Sequence, residues 1–154
     1  MIKRFTIRDI RVTFTVARIV RAGGFNSLLT DGNHILMFDF DKTTLEAVES
    51  ALKRVQRKYR LPRITILETR EGTNFIAYCF RRVPLKQAVT ILSEVEGLDW
   101  GFFKFGVYRG KFTLRVTDKG YGKPRHVKTL LSSYPEDATI LDLATWVNYQ
   151  TLKD

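Results

Sequence analysis

Residues 10–16 alternate, with Ile10, Val12, Phe14 and Val16 set against Arg11, Thr13 and Thr15. Side chains switch faces at each residue of a strand, so this pattern predicts a half-buried strand. Ala22-Gly23-Gly24 and Asp31-Gly32-Asn33 read as breaks in regular structure. His34 to Asp41, HILMFDFD, reads as a strand that is apolar on both faces. Leu45, Val48, Leu52, Val55 and Tyr59 then recur at helical spacing. Thr43-Thr44-Leu45-Glu46 ahead of them has the form of a capping box, and Leu61-Pro62 closes the helix. Ile64 to Thr69 and Asn74 to Arg81 read as strands about a Glu71-Gly72-Thr73 turn. Pro84 suits the first turn of a helix that runs to about Glu96, with Gly97 as its stop. Phe102 to Tyr108 and Phe112 to Thr117 are predicted to pair as a hairpin around Arg109-Gly110, and Ile140 to Leu152 to form a short helix.

From His34 to Tyr108 the predicted order is strand, helix, strand, strand, helix, strand. That is the ferredoxin-like, or RNA-recognition-type (RRM), βαββαβ unit. The expected class is therefore α+β, with an extra N-terminal strand and a C-terminal basic hairpin. Right-handed crossovers put the strands 34–41 and 74–81 side by side at the centre. Both helices then cover one face of the sheet, and functional residues are expected on the other, open face.

The chain has 154 residues, which suits a single domain over 1–154. Apolar residues make up 44% and charged residues 27%, a globular mix that excludes a disordered tail or a fibre. No stretch approaches the roughly 20 apolar residues of a spanning helix, and no signal-type apolar core follows Met1-Ile2-Lys3-Arg4-Phe5. A lone cysteine, Cys79, has no partner for an internal disulfide and fits a reducing, cytoplasmic setting. With His34 and His126 it is too small a set for structural zinc. The net charge is +10, and it is uneven. Residues 81–128 carry 11 basic and 4 acidic side chains, whereas residues 129–154 carry 1 and 4. A local excess of this kind favours a polyanion, nucleic acid first.

Asp39 and Asp41 are two apart on a predicted strand and so share a face, together with Ile35 and Met37. Two close carboxylates repel each other unless they are solvated or share a cation, and oxygen donors at this spacing suit Mg²⁺ or Mn²⁺. The plain alternative is that they end the strand and cap the next helix. Asp99 is the candidate third acid, with Glu68 and Glu71 as alternatives and a simple turn residue as the plain reading of Asp99. Tyr78 would either stack on a base or pack against the sheet, and Cys79 reads as an inert buried thiol. Residues 104–128 hold eight bases, Lys104, Arg109, Lys111, Arg115, Lys119, Lys123, Arg125 and Lys128, against the single acid Asp118. A glycine-broken basic hairpin can grip phosphates, or simply guard a sheet edge. Arg115, between Leu114 and Val116, is the base expected to point at a site, and His126 follows as a possible phosphate contact.

These residues resemble, in order, the palm core of archaeo-eukaryotic-type primases, the primase-polymerase superfamily of plasmids, viruses and mobile elements. Met37-Phe38-Asp39-Phe40-Asp41 looks like the family's Asp-x-Asp strand. Arg70 to Tyr78 looks like its glycine-turn strand, with Ile76 where the family carries a histidine. Asp99, then Arg115 and Lys119, is similar to its third acid and its nucleotide-facing bases. The resemblance covers residues 33–120 and implies a replicative nucleotidyltransferase. Asp39, Asp41 and Asp99 would hold Mg²⁺ or Mn²⁺. Arg115 and Lys119 would hold a nucleoside triphosphate. A template or primer of DNA or RNA and other replication proteins would be the partners. The rival reading is a non-catalytic RRM-like module that binds single strands through sheet aromatics such as Tyr78. Two acids on the facing strand argue against it, because they repel a phosphate chain.

Overall fold

The fold is seen in a computed structural model that describes residues 2–16, 19–118 and 122–152. Its elements in chain order begin with β1 (Ile2–Ile7), β2 (Ile10–Thr15), β3 (Ile19–Asn26), β4 (His34–Phe40) and α1 (Leu45–Lys58). They continue with β5 (Ile64–Arg70), β6 (Asn74–Val83), α2 (Leu85–Ser93) and α3 (Trp100–Arg109). The last are β7 (Thr113–Arg115), β8 (Arg125–Leu130) and β9 (Trp146–Leu152), with a single 3-10 turn at Ile140–Asp142 between the final two. The chain is α+β, and every strand pairing is antiparallel.

The main sheet has four strands in the order β4-β6-β5-β8. β4 and β6 lie side by side, as expected from the sequence, with Asp39 opposite Ile76 and Phe40 opposite Phe75. α1 forms because Val48, Leu52 and Val55 make one apolar stripe, and all three are buried. Its cap is Thr44, whose side chain accepts from the Ala47 N–H at 3.3 Å. Thr43, one residue earlier, instead donates its N–H to the Thr73 carbonyl at 2.9 Å, so the capping box does not form. Lys58 and Tyr59 at the end of α1 both reach Glu94 at the end of α2, at 2.6 and 2.7 Å.

The face expected to be open is covered. Ile35, Met37 and Ile76 are as deeply buried as Leu36, Phe38 and Phe40 on the helix side. Within β4 only Asp39 is less than fully buried. A second sheet, β7-β3-β9, joins the first through Ser27. Ser27 O accepts from Ile35 N–H at 2.9 Å and Ser27 N–H donates to Phe112 O at 2.8 Å. Its hydroxyl accepts from Phe112 N–H at 3.0 Å and pairs with His34 Nδ1 at 2.9 Å. Burial lowers the His34 pKa, and the ring is a structural group.

Five further expectations are corrected. The hairpin over 102–117 does not form, since Phe102 to Tyr108 lie inside α3. Asp99 caps that helix at one end and Gly110 ends it at φ 70°. Gly106 allows the helix to pack on the buried ring of Phe112, because a Cβ there would sit 2.2 Å from Phe112 Cδ1. β7 pairs with β3 and β8 with β5, so the basic segment is distributed over three places rather than gathered in one hairpin. Ala22-Gly23-Gly24 is not a break but the middle of β3, where a Cβ on Gly24 would lie 2.1 Å from the Leu114 carbonyl oxygen. The tail from Trp146 is strand rather than helix, because β3 offers it an edge and Phe25 packs edge-on against Trp146 at 4.7 Å. Residues 10–15 belong to a two-stranded N-terminal hairpin, and Ile10 and Phe14 are exposed rather than half-buried.

Candidate active site

The acidic pair stands where β4 ends. Asp39 is the next-to-last residue of β4, and Asp41 follows its last residue, Phe40. Asp41 Oδ1 accepts from Asn74 Nδ2. Asn74 Oδ1 in turn accepts from Thr73 Oγ1 at 2.8 Å, so the β5–β6 turn holds the Asp41 carboxylate in place. Neither acid caps α1, because Thr44 does.

After α2 the chain returns to the free edge of β4, where a ferredoxin-like unit would add its fourth strand. It makes one backbone bond there, from Asp99 N–H to Asp39 O at 2.8 Å, and then turns into α3. Asp99 Oδ1 caps α3 by accepting from Phe102 N–H at 2.6 Å. The fold thus brings together the three acids selected from the sequence. The Asp39 carboxyl is pushed up to about 7, first by burial and then by the charges of Asp41 and Asp99. A hydrogen bond from Phe40 N–H and the nearby Arg115 guanidinium act in the opposite direction without cancelling the rise.

Arg115 reaches this point from the second sheet. Its Nη1 donates to Thr117 O at 2.8 Å and Gly122 O at 3.3 Å, and its Nη2 to Thr69 O at 3.4 Å. Thr69 Oγ1 donates to Asn74 O at 3.3 Å, which closes a connected network running Asp41, Asn74, Thr69, Arg115. Among the described residues Arg115 forms no ion pair, so its charge is available to an anionic ligand. By contrast Arg63, Arg81 and Arg82 are neutralised by Glu136, Asp137 and Asp142 of the acidic tail. The tail therefore offsets Arg63, Arg81 and Arg82 rather than Arg115.

The remaining candidates lie elsewhere. Tyr78 is half-buried opposite Met37 and packs edge-on against Phe80 at 5.4 Å, which makes it a packing residue. Arg109 ends α3, about 15 Å along the helix from Asp99 at 1.5 Å per residue. His126 shares a cross-sheet row with Asp39 but lies three strands away, about 14 Å at the usual strand spacing, and its Nε2 contacts Thr129 Oγ1 at 2.9 Å. Lys119 falls outside the described residues. Glu68 is not the third acid, because it accepts from Gly72 N–H at 2.9 Å and pairs with Arg125 at 2.7 Å. It lines, with Glu71, Thr69, Arg70, Lys123 and Arg125, an open cleft of about 260 Å³ beside the Arg115 contact.

Asn74 and Thr69 were missed as supports of the site. The signal for Asn74 is a polar residue at the first position of β6, which the pairing of Phe75 with Phe40 sets opposite the end of β4, and Thr69 has no such signal. Hard carboxylate oxygens beside one another fit Mg²⁺ or Mn²⁺ in donor type. Asp41 and Asp99 each commit one oxygen to a protein donor, and no set of three His, Cys, Asp or Glu among the described residues stands in ligating arrangement. No helix among the described residues is long and apolar enough to cross a membrane. No protein-family profile, curated protein or solved structure matches this chain.

Proposed function

We propose that this chain is a nucleotidyltransferase domain of primase-polymerase type, which extends a nucleic-acid strand from nucleoside triphosphates during replication of a virus, plasmid or mobile element. The observation that carries the reading is the meeting of Asp39, Asp41 and Asp99 beside an Arg115 that has no carboxylate partner among the described residues. The strand order β4-β6-β5 with α1 and α2 as crossovers supports a ferredoxin-like palm in which α3 replaces the fourth strand.

In the proposed reaction a primer 3′-hydroxyl oxygen attacks the α-phosphorus in line. The bond to the bridging oxygen breaks, pyrophosphate leaves with the electron pair, and the hydroxyl proton passes to solvent. To hold Mg²⁺ or Mn²⁺ together with Asp39, Asp41 and Asp99 would exchange their protein donors for the metal, which would supply activation of the hydroxyl and neutralisation of the leaving pyrophosphate. Asn74 holds the Asp41 rotamer. Arg115 exchanges its carbonyl partners for phosphate oxygens, since charge-assisted bonds are the stronger ones. Ile76, buried directly opposite Asp39, keeps water from that side of the carboxylate.

Mn²⁺-dependent incorporation of a labelled nucleotide on a primed template tests this reading. Wild type is expected to incorporate, Asp39→Asn with Asp41→Asn to abolish the signal, and Arg115→Ala to raise KM for the triphosphate by about tenfold or more. A wild-type protein that is inert with every divalent metal and template, yet binds single strands in a salt-dependent way, would overturn it in favour of a non-catalytic RRM-like module.

A further inference from the structure

α3 carries three aromatic residues that are open to solvent. Trp100 is 70% exposed, Tyr108 88% and Phe105 54%, although α3 buries its opposite side through Gly106 against Phe112. Residues four apart stack along a helix, so Trp100, Lys104 and Tyr108 form one stripe in the order aromatic, cation, aromatic. Phe105 and Arg109 form a second stripe alongside, with the guanidinium 5.6 Å above the ring. Neither Lys104 nor Arg109 is ion-paired among the described residues, and no acid lies within α3. Exposed Lys86, next to the Leu85 side chain that approaches Gly110, adds a further cation at the far end. The stripe starts at the residue after Asp99, at the candidate active site.

From this juxtaposition we infer that the exposed face of α3 is a binding track for single-stranded nucleic acid, with bases stacked on Trp100 and Tyr108 and phosphates held by Lys104 and Arg109. The inference rests on the proposed function for the class of partner. Its support is separate, in the alternation of flat aromatic rings with unpaired cations. A protein partner would need apolar area, whereas cations between the rings cost desolvation in such an interface and gain from a phosphate chain. Ring stacking tolerates any base, so the track carries the strand without reading its sequence. The acids at one end repel phosphate and the bases along the helix attract it, which directs the strand along α3 away from the carboxylates.

The test is equilibrium binding of a labelled oligothymidylate to the full chain in EDTA, followed by fluorescence across a salt series. Trp100→Ala and Tyr108→Ala are each expected to weaken binding by about 5- to 100-fold without changing the salt slope. Lys104→Gln and Arg109→Gln are expected to flatten the slope of log affinity against log salt by about 0.7 each. Trp100→Phe retains most of the affinity, and the tryptophan emission quenched by oligonucleotide in wild type is no longer quenched in that variant. Alanine variants that keep the wild-type circular dichroism and bind within twofold of wild type would overturn the inference. So would a wild-type dimer in sedimentation that Trp100→Ala converts to monomer, because a second copy would then cover this face. Binding that depends on α3 in a protein inert for incorporation would remove only the catalytic reading. Incorporation with binding indifferent to α3 would remove only this one.

Discussion

Replacing Asp39 by Asn should stabilise the metal-free protein at neutral and alkaline pH, at the expense of the proposed activity. The Asp39 carboxyl titrates at about 7 in the fold, for which burial is the first cause and the charges of Asp41 and Asp99 are the next. In the unfolded chain an aspartate titrates near 3.9. A raised folded pKa means that the fold holds the proton more tightly. That advantage is complete below about pH 4, shrinks as pH rises towards 7, and is exhausted above it. About three pKa units at 1.36 kcal/mol each set an upper bound of about 4 kcal/mol on what the charged carboxylate costs at pH 8. Relaxation and water entry reduce this, so Asp39→Asn is expected to gain about 2–4 kcal/mol at pH 8 and almost nothing at pH 4. Urea unfolding of both proteins in EDTA at pH 4, 6 and 8 measures the difference. His34, whose pKa is lowered by burial, removes stability from both proteins as pH falls below about 6.5, and cancels in the comparison. A difference that does not change with pH, or an Asn variant less stable at pH 8, would refute the account of Asp39. Mn²⁺ should narrow the gap at pH 8 by neutralising the wild-type carboxylates.

Two further outcomes concern the packing that supports the site. Gly106→Ala puts a methyl 2.2 Å from the Phe112 ring, and it is expected to cost a net of about 1–3 kcal/mol of stability, read as a lower thermal midpoint, even though alanine is the better helix former. An alanine variant as stable as wild type would show that α3 does not depend on that close approach. Ser27→Ala leaves the Phe112 N–H and the His34 ring nitrogen without their buried partner, for an expected loss of about 2–4 kcal/mol in urea unfolding. A loss below about 0.5 kcal/mol would mean that water replaces the hydroxyl at the junction of the two sheets.

The part of the fold legible in the sequence is the part governed by local pattern. β4, α1, β5, β6 and α2 follow from their apolar periodicity, the Leu61-Pro62 stop and the Glu71-Gly72-Thr73 turn, whereas the pairing of Phe40 with Phe75 is what aligns Asn74 with the end of β4. The spacing of Asp39 and Asp41 puts both on one strand, and Asp99 is a candidate third acid beside Glu68 and Glu71 until the fold sets its N–H on the Asp39 carbonyl. Arg115 was selected from its place between two apolar neighbours. The errors lie where a segment's state depends on a distant partner. Phe102 to Tyr108 fit a strand as well as a helix by composition, and Phe112 together with the caps at Asp99 and Gly110 decided for helix. Gly23 and Gly24 resemble a break until Leu114 and Trp146 approach them, and Trp146 to Leu152 form a strand because β3 has an edge to fill.

The sequence by itself therefore determined the acidic strand, its neighbour and the local excess of base. The reason is that side-chain periodicity and charge are properties of neighbouring residues. Only the tertiary structure decided that the acidic face is covered, that Asp99 meets Asp39 through a helix cap, and that Trp100, Phe105 and Tyr108 stand exposed on α3. Those outcomes come from contacts between segments distant in the chain, in which burial of Ile35, Met37, Ile76 and Phe112 outweighs local propensity.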